Sequence, residues 1–356
     1  MMVRPQTAWI LFLAMVASVY VAMPSRAEEQ KQAVNAARSR TIVVALDGSG
    51  EYRSIQEAVD AAGRGDTVRV KDGSYKEDVT IHSKEGLRLI GEGIDRVTVL
   101  GLNRVGAFHI GKWPYGATNI EISGITIQEH GGLAMGIFNG QGIVLRDVRI
   151  NGLVFGQQVQ NVRIEECLIG GSETTGVQFA DSQAVLSGNV IHHNDHGVTV
   201  AGKSDVRLER NVITQNLYEG VMVTDSARAV LLNNTIVKNG GGLAFLDVSR
   251  GEAVGNIVGL NKVGFVIGPS SHLRLSYNAL SNSEHDYLRA GTPNRPAPEL
   301  KTETDVAADP RFVDSGRGDF RLLPDSPLLR VGQFAYLGAL PPLDAKATLP
   351  HATPSR

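Results

Sequence analysis

Asn189-Val-Ile-His-His-Asn194, Asn211-Val-Ile-Thr-Gln-Asn216, Asn234-Thr-Ile-Val-Lys-Asn239, Asn256-Ile-Val-Gly-Leu-Asn261 and Asn278-Ala-Leu-Ser-Asn-Ser283 are variants of one phrase. Their first residues stand 22, 23, 22 and 22 positions apart. A fixed period of this size marks stacked structural repeats. Continued towards the N-terminus, the frame meets Cys167, Asp147 and Gly124 at steps of 22, 20 and 23, so the repeat runs at least from Gly124 to Ser283. Each period carries short apolar alternations, such as Val206-Arg-Leu-Glu, Val212-Ile213 and Val221-Met-Val223, separated by Gly, Asn, Asp or Ser. They are too short for helices, and three short strands with three turns make one rung of a parallel β-helix.

Two positions after the leading residue the chain is always aliphatic: Ile169, Ile191, Ile213, Ile236, Val258, Leu280. That column is expected to point into the core. The leading Asn residues would stack about 4.8 Å apart, close enough for their amides to bond along the stack and satisfy turn backbone. Asn194, Asn216, Asn239 and Asn261 form a second such column. The most repeated polar residues are therefore read as structural. The expected fold is all-β, one right-handed parallel β-helix of roughly ten rungs, because a solenoid lengthens by adding rungs without a domain boundary.

Residues Ala8 to Ala22 form a mostly apolar run preceded by Arg4 and followed by Ser25-Arg26-Ala27, the pattern of a signal peptide cleaved after Ala27. The run is short for a membrane span. The organisation expected is a signal peptide over 1–27, a polar segment over 28–40, the β-helix over 41–340 and a flexible tail over 341–356 with its prolines. Export to the periplasm or beyond follows, with no transmembrane span in the mature chain. The chain carries 35 basic and 37 acidic residues, and loss of Arg4 and Arg26 leaves a formal charge of −4. That balance argues against nucleic acid, although a local basic patch could still hold an acidic polysaccharide. The single cysteine, Cys167, cannot form an intramolecular disulfide and sits at a ladder position, which suits an inert thiol.

Thr41-Ile-Val-Val-Ala45 reads as a first strand and Tyr52 to Ala62 as an amphipathic helix with Ile55, Ala58 and Ala62 on one face. A helix there would cover the open first rung, which is otherwise an exposed edge. Strands are expected at Thr67-Val70, Val79-Ile81, Leu87-Ile90 and Val97-Leu100.

Val44-Ala-Leu-Asp-Gly-Ser-Gly-Glu-Tyr-Arg-Ser-Ile-Gln-Glu-Ala-Val-Asp-Ala-Ala62, Gly65-Asp-Thr-Val-Arg-Val70, Gly73-Ser-Tyr-Lys-Glu-Asp-Val-Thr-Ile81 and Leu89-Ile-Gly-Glu-Gly93 resemble the opening of the pectate-lyase-like superfamily, nearest to pectin methylesterases. The Asn-rich rungs resemble repeats of bacterial carbohydrate-binding and sugar-hydrolase β-helix proteins, including the periplasmic protein that helps assemble the copper site of nitrous oxide reductase. Asp309-Pro-Arg-Phe-Val-Asp314, Gly318-Asp-Phe-Arg-Leu322, Ser326-Pro327 and Gly338-Ala339 resemble a closing segment of secreted β-helix proteins. The resemblance implies a polysaccharide or oligosaccharide partner and specifies fold better than chemistry.

The esterase segments that would carry two aspartates, Gln donors and an Arg are absent, as are the polygalacturonase aspartates. Gly156-Gln-Gln-Val-Gln160 offers glutamines without the aspartate, and Phe179-Ala-Asp181 matches poorly. If the chain is an enzyme, a lyase or uronate epimerase ranks above an esterase. The densest titratable cluster is His192-His-Asn-Asp-His-Gly197, placed where alginate epimerases carry Asp and His, though without their Asp-Pro-His-Asp form. His193, Asp195 and His196 with Glu219 and Tyr218 could form an acid/base group, and Lys203 could serve as base or uronate clamp. The plainer alternative is a solvated turn. No metal is assigned, since adjacent His192 and His193 should diverge on an extended strand; a bound calcium or transition metal stays open, and no other cofactor is expected.

Asp181, Lys203, Asp225 and Asp247 suggest cross-rung ion pairs. On the strand before them the outward residues are Gln178, Thr199, Met222, Ala244 and Val266, a surface more suited to a sugar's apolar face than to cleavage. Gln178 and Thr199 are candidate sugar contacts there, together with Tyr218 and with Trp113 and Tyr115 of Lys112-Trp-Pro-Tyr-Gly116. Two classes follow: an exported monomeric protein that binds, and in one version processes, a polysaccharide along one face, or a non-catalytic scaffold.

Overall fold

The computed structural model describes residues 39–343 apart from 103–105, 113 and 292, and leaves the side chains of 130 and 131 undescribed. The expected signal peptide, the polar segment up to residue 38 and the tail beyond 343 lie outside the described residues. So does Trp113.

The chain winds into a right-handed parallel β-helix of about 11 turns, one more than the repeat count suggests. Three stacks of parallel strands build it. In the regular rungs the first sheet contains Gln183–Ser187, Asp205–Glu209, Arg228–Leu232, Arg250–Val254 and His272–Ser276. The second contains Val190–His192, Val212–Thr214, Thr235–Val237, Ile257–Gly259 and Ala279–Ser281, and the third Thr175–Ala180, His196–Ala201, Glu219–Val223, Gly241–Phe245, Val263–Ile267 and His285–Arg289. Each strand pairs in register with its counterpart one rung on.

The aliphatic column behaves as expected, with Ile169, Ile191, Ile213, Ile236 and Val258 fully buried. Each such side chain contributes about 1.5–3 kcal/mol by leaving water. At the first corner the Asn ladder is continuous. Asn189, Asn211, Asn234, Asn256 and Asn278 each accept from the preceding rung's backbone N–H through Oδ1. Each donates Nδ2 to a first-sheet carbonyl of the preceding rung. Asp305 ends this ladder, accepting from Asn278 N at 2.9 Å. The second ladder runs from Asn194 through Asn216, Asn239 and Asn261 to Asn282, where Asp286 closes it.

A left-handed residue precedes each ladder Asn except the terminal Asn282, as Arg210, Asn233 and Tyr277 do at the first corner and Gln215, Lys238 and Leu260 at the second. Register corrects the sequence frame in two places. Leu168 pairs with Arg149, so Cys167 stacks on Val148 rather than Asp147, which belongs with Gly124 to the left-handed column. Ala180 pairs with Ala201, so Asp181 stacks on Gly202 and Lys203 falls one place outside the aspartate column.

The helix at the start spans Ile55–Ala61 and buries Ile55, Ala58 and Val59 over the first rung. Glu77 caps it, accepting from Ser54 Oγ and from the N–H groups of Ile55 and Gln56. At the far end Ala297 is fully buried and Leu300 packs against the same core. Beyond Asp309 the chain leaves the rungs and forms two antiparallel hairpins, Phe312–Asp314 with Asp319–Leu322 and Leu329–Val331 with Phe334–Tyr336. They bury Phe320, Leu322, Leu328 and Leu337 against Val212, Val237, Ile257 and Ala279 on the outside of the second sheet. Ala339 N donates to Thr235 Oγ1 at 2.9 Å, pinning the cover. No helix among the described residues is long and apolar enough to cross a membrane.

Candidate functional site

With the second sheet covered along much of its length, the outsides of the first and third sheets remain for a ligand. On the third sheet, register carries one outward column from His109 through Gly136, Phe155, Gln178, Thr199, Met222 and Ala244 to Val266. Its two ends differ. Thr199 and Ala244 are only 5% and 2% exposed, so the later rungs present a flat surface with few reachable groups.

The early rungs present aromatic rings. His109 and Phe138 stack with centroids 6.2 Å apart at 21°, and Phe155 meets Phe138 edge-on at 6.0 Å. Gly136 makes this packing available: a Cβ there would lie 2.5 Å from the Phe138 ring and 3.0 Å from His109. The three rings are half-buried and adjoin Gln178 in the next rung. Sequence reasoning missed this platform because residues 109, 136 and 155 stand 27 and 19 positions apart, outside the 22-residue frame. Tyr115 is 62% exposed on the neighbouring 112–115 bridge.

The turn into the third sheet holds the titratable groups. His193 has φ 54°, the left-handed conformation that the second corner also imposes on Gln215 and Lys238. This geometry overturns the expected divergence of the two histidines. Their rings meet edge-on with centroids 5.0 Å apart, and Nδ1 lies 2.7 Å from Nδ1, so one donates and the other accepts. Burial, followed by the charge of His193, pushes the His192 imidazole down from 6.5 to about 4. Between those values the unfolded chain binds a proton that the folded chain refuses. Folding stability is therefore expected to fall as pH drops from about 6.5 towards about 4, and to be independent of this group above 6.5. Denaturant midpoints across that range should flatten in a His192→Gln variant; an unchanged slope would place the acid sensitivity elsewhere.

His196 and Glu219 occupy the same place in adjacent rungs, because Val198 pairs with Val221. Nδ1 lies 3.1 Å from Glu219 Oε2, an ion-pair distance, although Nδ1 is buried and lacks hydrogen-bond alignment. The His196 contact holds the Glu219 carboxyl below the usual carboxylate range in spite of burial. Tyr218 lies over His196 with centroids 5.2 Å apart and is 51% exposed, beside Leu217 at 63%.

Of His193, Asp195, His196, Glu219 and Lys203, only His196 and Glu219 come together. His193 turns to His192. Lys203 stands past the far end of the His196–Ala201 strand, roughly 20 Å away at about 3.3 Å per residue. Its expected ion pairs do not form among the described residues. The aspartates instead accept from turn backbone: Asp181 from Lys203 N, Asp225 from Gly202 N and Asp247 from Asp225 N. No group of three or more His, Cys, Asp or Glu converges as a metal site among the described residues. The Cys167 thiol is buried and its pKa is pushed up to about 12, so it offers no thiolate.

Residues 107–295 match the family model described as periplasmic copper-binding protein (NosD), and residues 41–130 match that of pectinesterase. A probable pectinesterase/pectinesterase inhibitor of Arabidopsis thaliana is 36% identical over 103 residues, 27% of this chain and 17% of its own length. Another from the same plant is 27% identical over 199 residues, 49% of this chain and 35% of its own. The chain thus spans a small part of the curated relatives it matches. The crystal structure of pectate lyase Pel9A superposes with a TM-score of 0.51 at 12% identity, covering 85% of this chain and 96% of that one. At that identity the likeness speaks for the fold alone.

Proposed function

The chain belongs to the family described as periplasmic copper-binding protein (NosD), and we propose that it acts outside the cytoplasmic membrane as a rigid rod that binds a polysaccharide across its third sheet. The observation that carries the reading is the outward column itself. Half-buried rings of His109, Phe138 and Phe155 lead through Gln178 to the exposed Tyr218 beside His196 and Glu219. A sugar ring has an apolar face and a polar rim. Aromatic faces take the first, and an amide, a phenol and a carboxylate take the second. A solenoid holds these groups at fixed spacing, so little ordering accompanies binding.

Copper does not fit the described donors. His192 and His193 supply two imidazoles without a third converging ligand, and the one thiol is buried and protonated. Tetragonal copper needs more N and O donors, and the soft form favours thiolate or thioether.

A second reading, acid/base processing of the bound sugar, rests on the 3.1 Å His196–Glu219 contact alone. Both are tested with the exported protein on a panel of polysaccharides, following binding and product release together. Phe155→Ala and Tyr218→Ala are each expected to weaken glycan binding up to about tenfold, in line with roughly 0.5–1.5 kcal/mol per stacked ring. Binding unaffected by either change, or no glycan bound at all, would return the protein to the scaffold class. Product release abolished by His196→Ala would establish processing.

A further inference from the structure

The outside of the first sheet carries a different chemistry. Its strands open on Asp205, Arg228, Arg250 and His272, which pair in register on successive rungs. Asp205 neutralises Arg228 at 3.0 Å. Arg250 then lies between Arg228 and His272 with no ion pair or hydrogen bond to its guanidinium among the described residues. Like charges directly opposite on neighbouring strands disfavour the sheet, and an anion lying across them removes that cost.

Arg228, Arg250 and His272 line a groove of about 590 Å³ at the last strand of the first sheet, where Arg274 and the third sheet's Arg289 complete four arginines against the single carboxylate of Glu252. Neither extra arginine is tightly held: Arg274 is 3.8 Å from Glu252, and Arg289 is 3.8 Å from Glu299. Leu273, Leu275 and Leu300, which pack against the core at its last rung, give the groove apolar patches on its core side. The volume lies within the usual range for a small-ligand site of about 300–1,000 Å³.

We propose that this groove binds a short multivalent oxyanion, carboxylate or phosphate, whose charges repeat at about the 4.8 Å spacing of the rungs. Arginine forks take such groups bidentately, so Arg250 is its central contact and Arg274 its flank. The apolar patches accept whatever body joins the charges. The site is independent of the aromatic column on the third sheet.

Calorimetric titration of the full chain with trigalacturonate, inorganic tripolyphosphate, acetate and monophosphate tests the assignment. The three-group anions are expected to bind, with affinity falling as salt is raised, and acetate and monophosphate to bind at least tenfold more weakly. Whichever three-group anion binds more tightly identifies the source as carboxylate or phosphate. Arg250→Ala should weaken the three-group anions about tenfold or more, and Arg250→Lys should restore part of the loss. Equal affinity for one-group and three-group anions, or titrations unaltered in Arg250→Ala, would overturn it.

Discussion

An Asn234→Ala protein is expected to lose about 3 kcal/mol of folding stability or more, summed from at least about 1 kcal/mol for each of three buried polar groups left without a partner. Asn234 is fully buried and uses its whole amide. Oδ1 accepts from Asn211 N and from Asn211 Nδ2, each at 3.0 Å, while Nδ2 donates to Leu208 O at 2.9 Å and to Asn256 Oδ1 at 3.0 Å. Truncation strands one backbone N–H, one amide N–H and one carbonyl in a dry corner. Asn256 Oδ1 keeps a donor, since Asn234 N still reaches it at 2.9 Å. An exposed pair such as Arg228–Asp205 is worth about 1 kcal/mol at most, so ladder loss should exceed ion-pair loss severalfold. Because solenoids can open rung by rung, urea midpoints should be joined by hydrogen exchange of the Asn211 amide. A loss below about 1 kcal/mol would mean that water replaces the amide, and the ladder would then be incidental to stability.

The ladder was legible because residues 189–283 keep one period, and a period states which residues stack. It says less where rungs change length. The step between Arg149 and Leu168 is 19 residues, and the fixed frame slipped by one there, putting Asp147 where Val148 belongs. Lys203 was displaced in the same way by the 21-residue step from Ala180 to Ala201, which puts Gly202, with φ 66°, in the aspartate column. Spacing also cannot reveal cover from distant chain: Ala339 bonds Thr235 across 104 residues, which removes one sheet from consideration as a ligand surface. The His196–Glu219 pair was legible because its partners share one position in adjacent regular rungs. The aromatic platform was not, since its rings lie in rungs of unequal length. His193 shows a third limit: the strand rule failed at a residue that the corner forces into the left-handed region, and only that conformation brings it to His192.

A glycine column that the period contains but the motif reading passed over leads to the second large effect. Gly176, Gly197, Gly220, Gly242 and Gly264 occupy equivalent places in successive rungs, each beside an amide of the second ladder or its end. A Cβ on Gly242 would lie 2.4 Å from Val258 Cγ1, 2.5 Å from Gly264 O and 3.3 Å from Asn261 Nδ2. The carbonyl belongs to the next rung's backbone and cannot yield without disturbing its strand pairing. Gly242 has no positive φ, so alanine meets no backbone strain there and should gain about 0.4–1 kcal/mol by restricting the unfolded chain. Overpacking against fixed backbone costs about 3 kcal/mol at the upper end of its usual range, and it wins. Gly242→Ala should therefore destabilise by about 2 kcal/mol. Gly259→Ala is the matched comparison, because its nearest contact would be Ser281 O at 3.3 Å and its φ is also not positive. That variant should stay within about 0.5 kcal/mol of the parent, the ordinary range for a substitution that breaks no named feature. Equal stability of the two variants in denaturant would show that rungs can separate at the second corner, and the close approach of ladder and glycine column would not then be what sets their spacing.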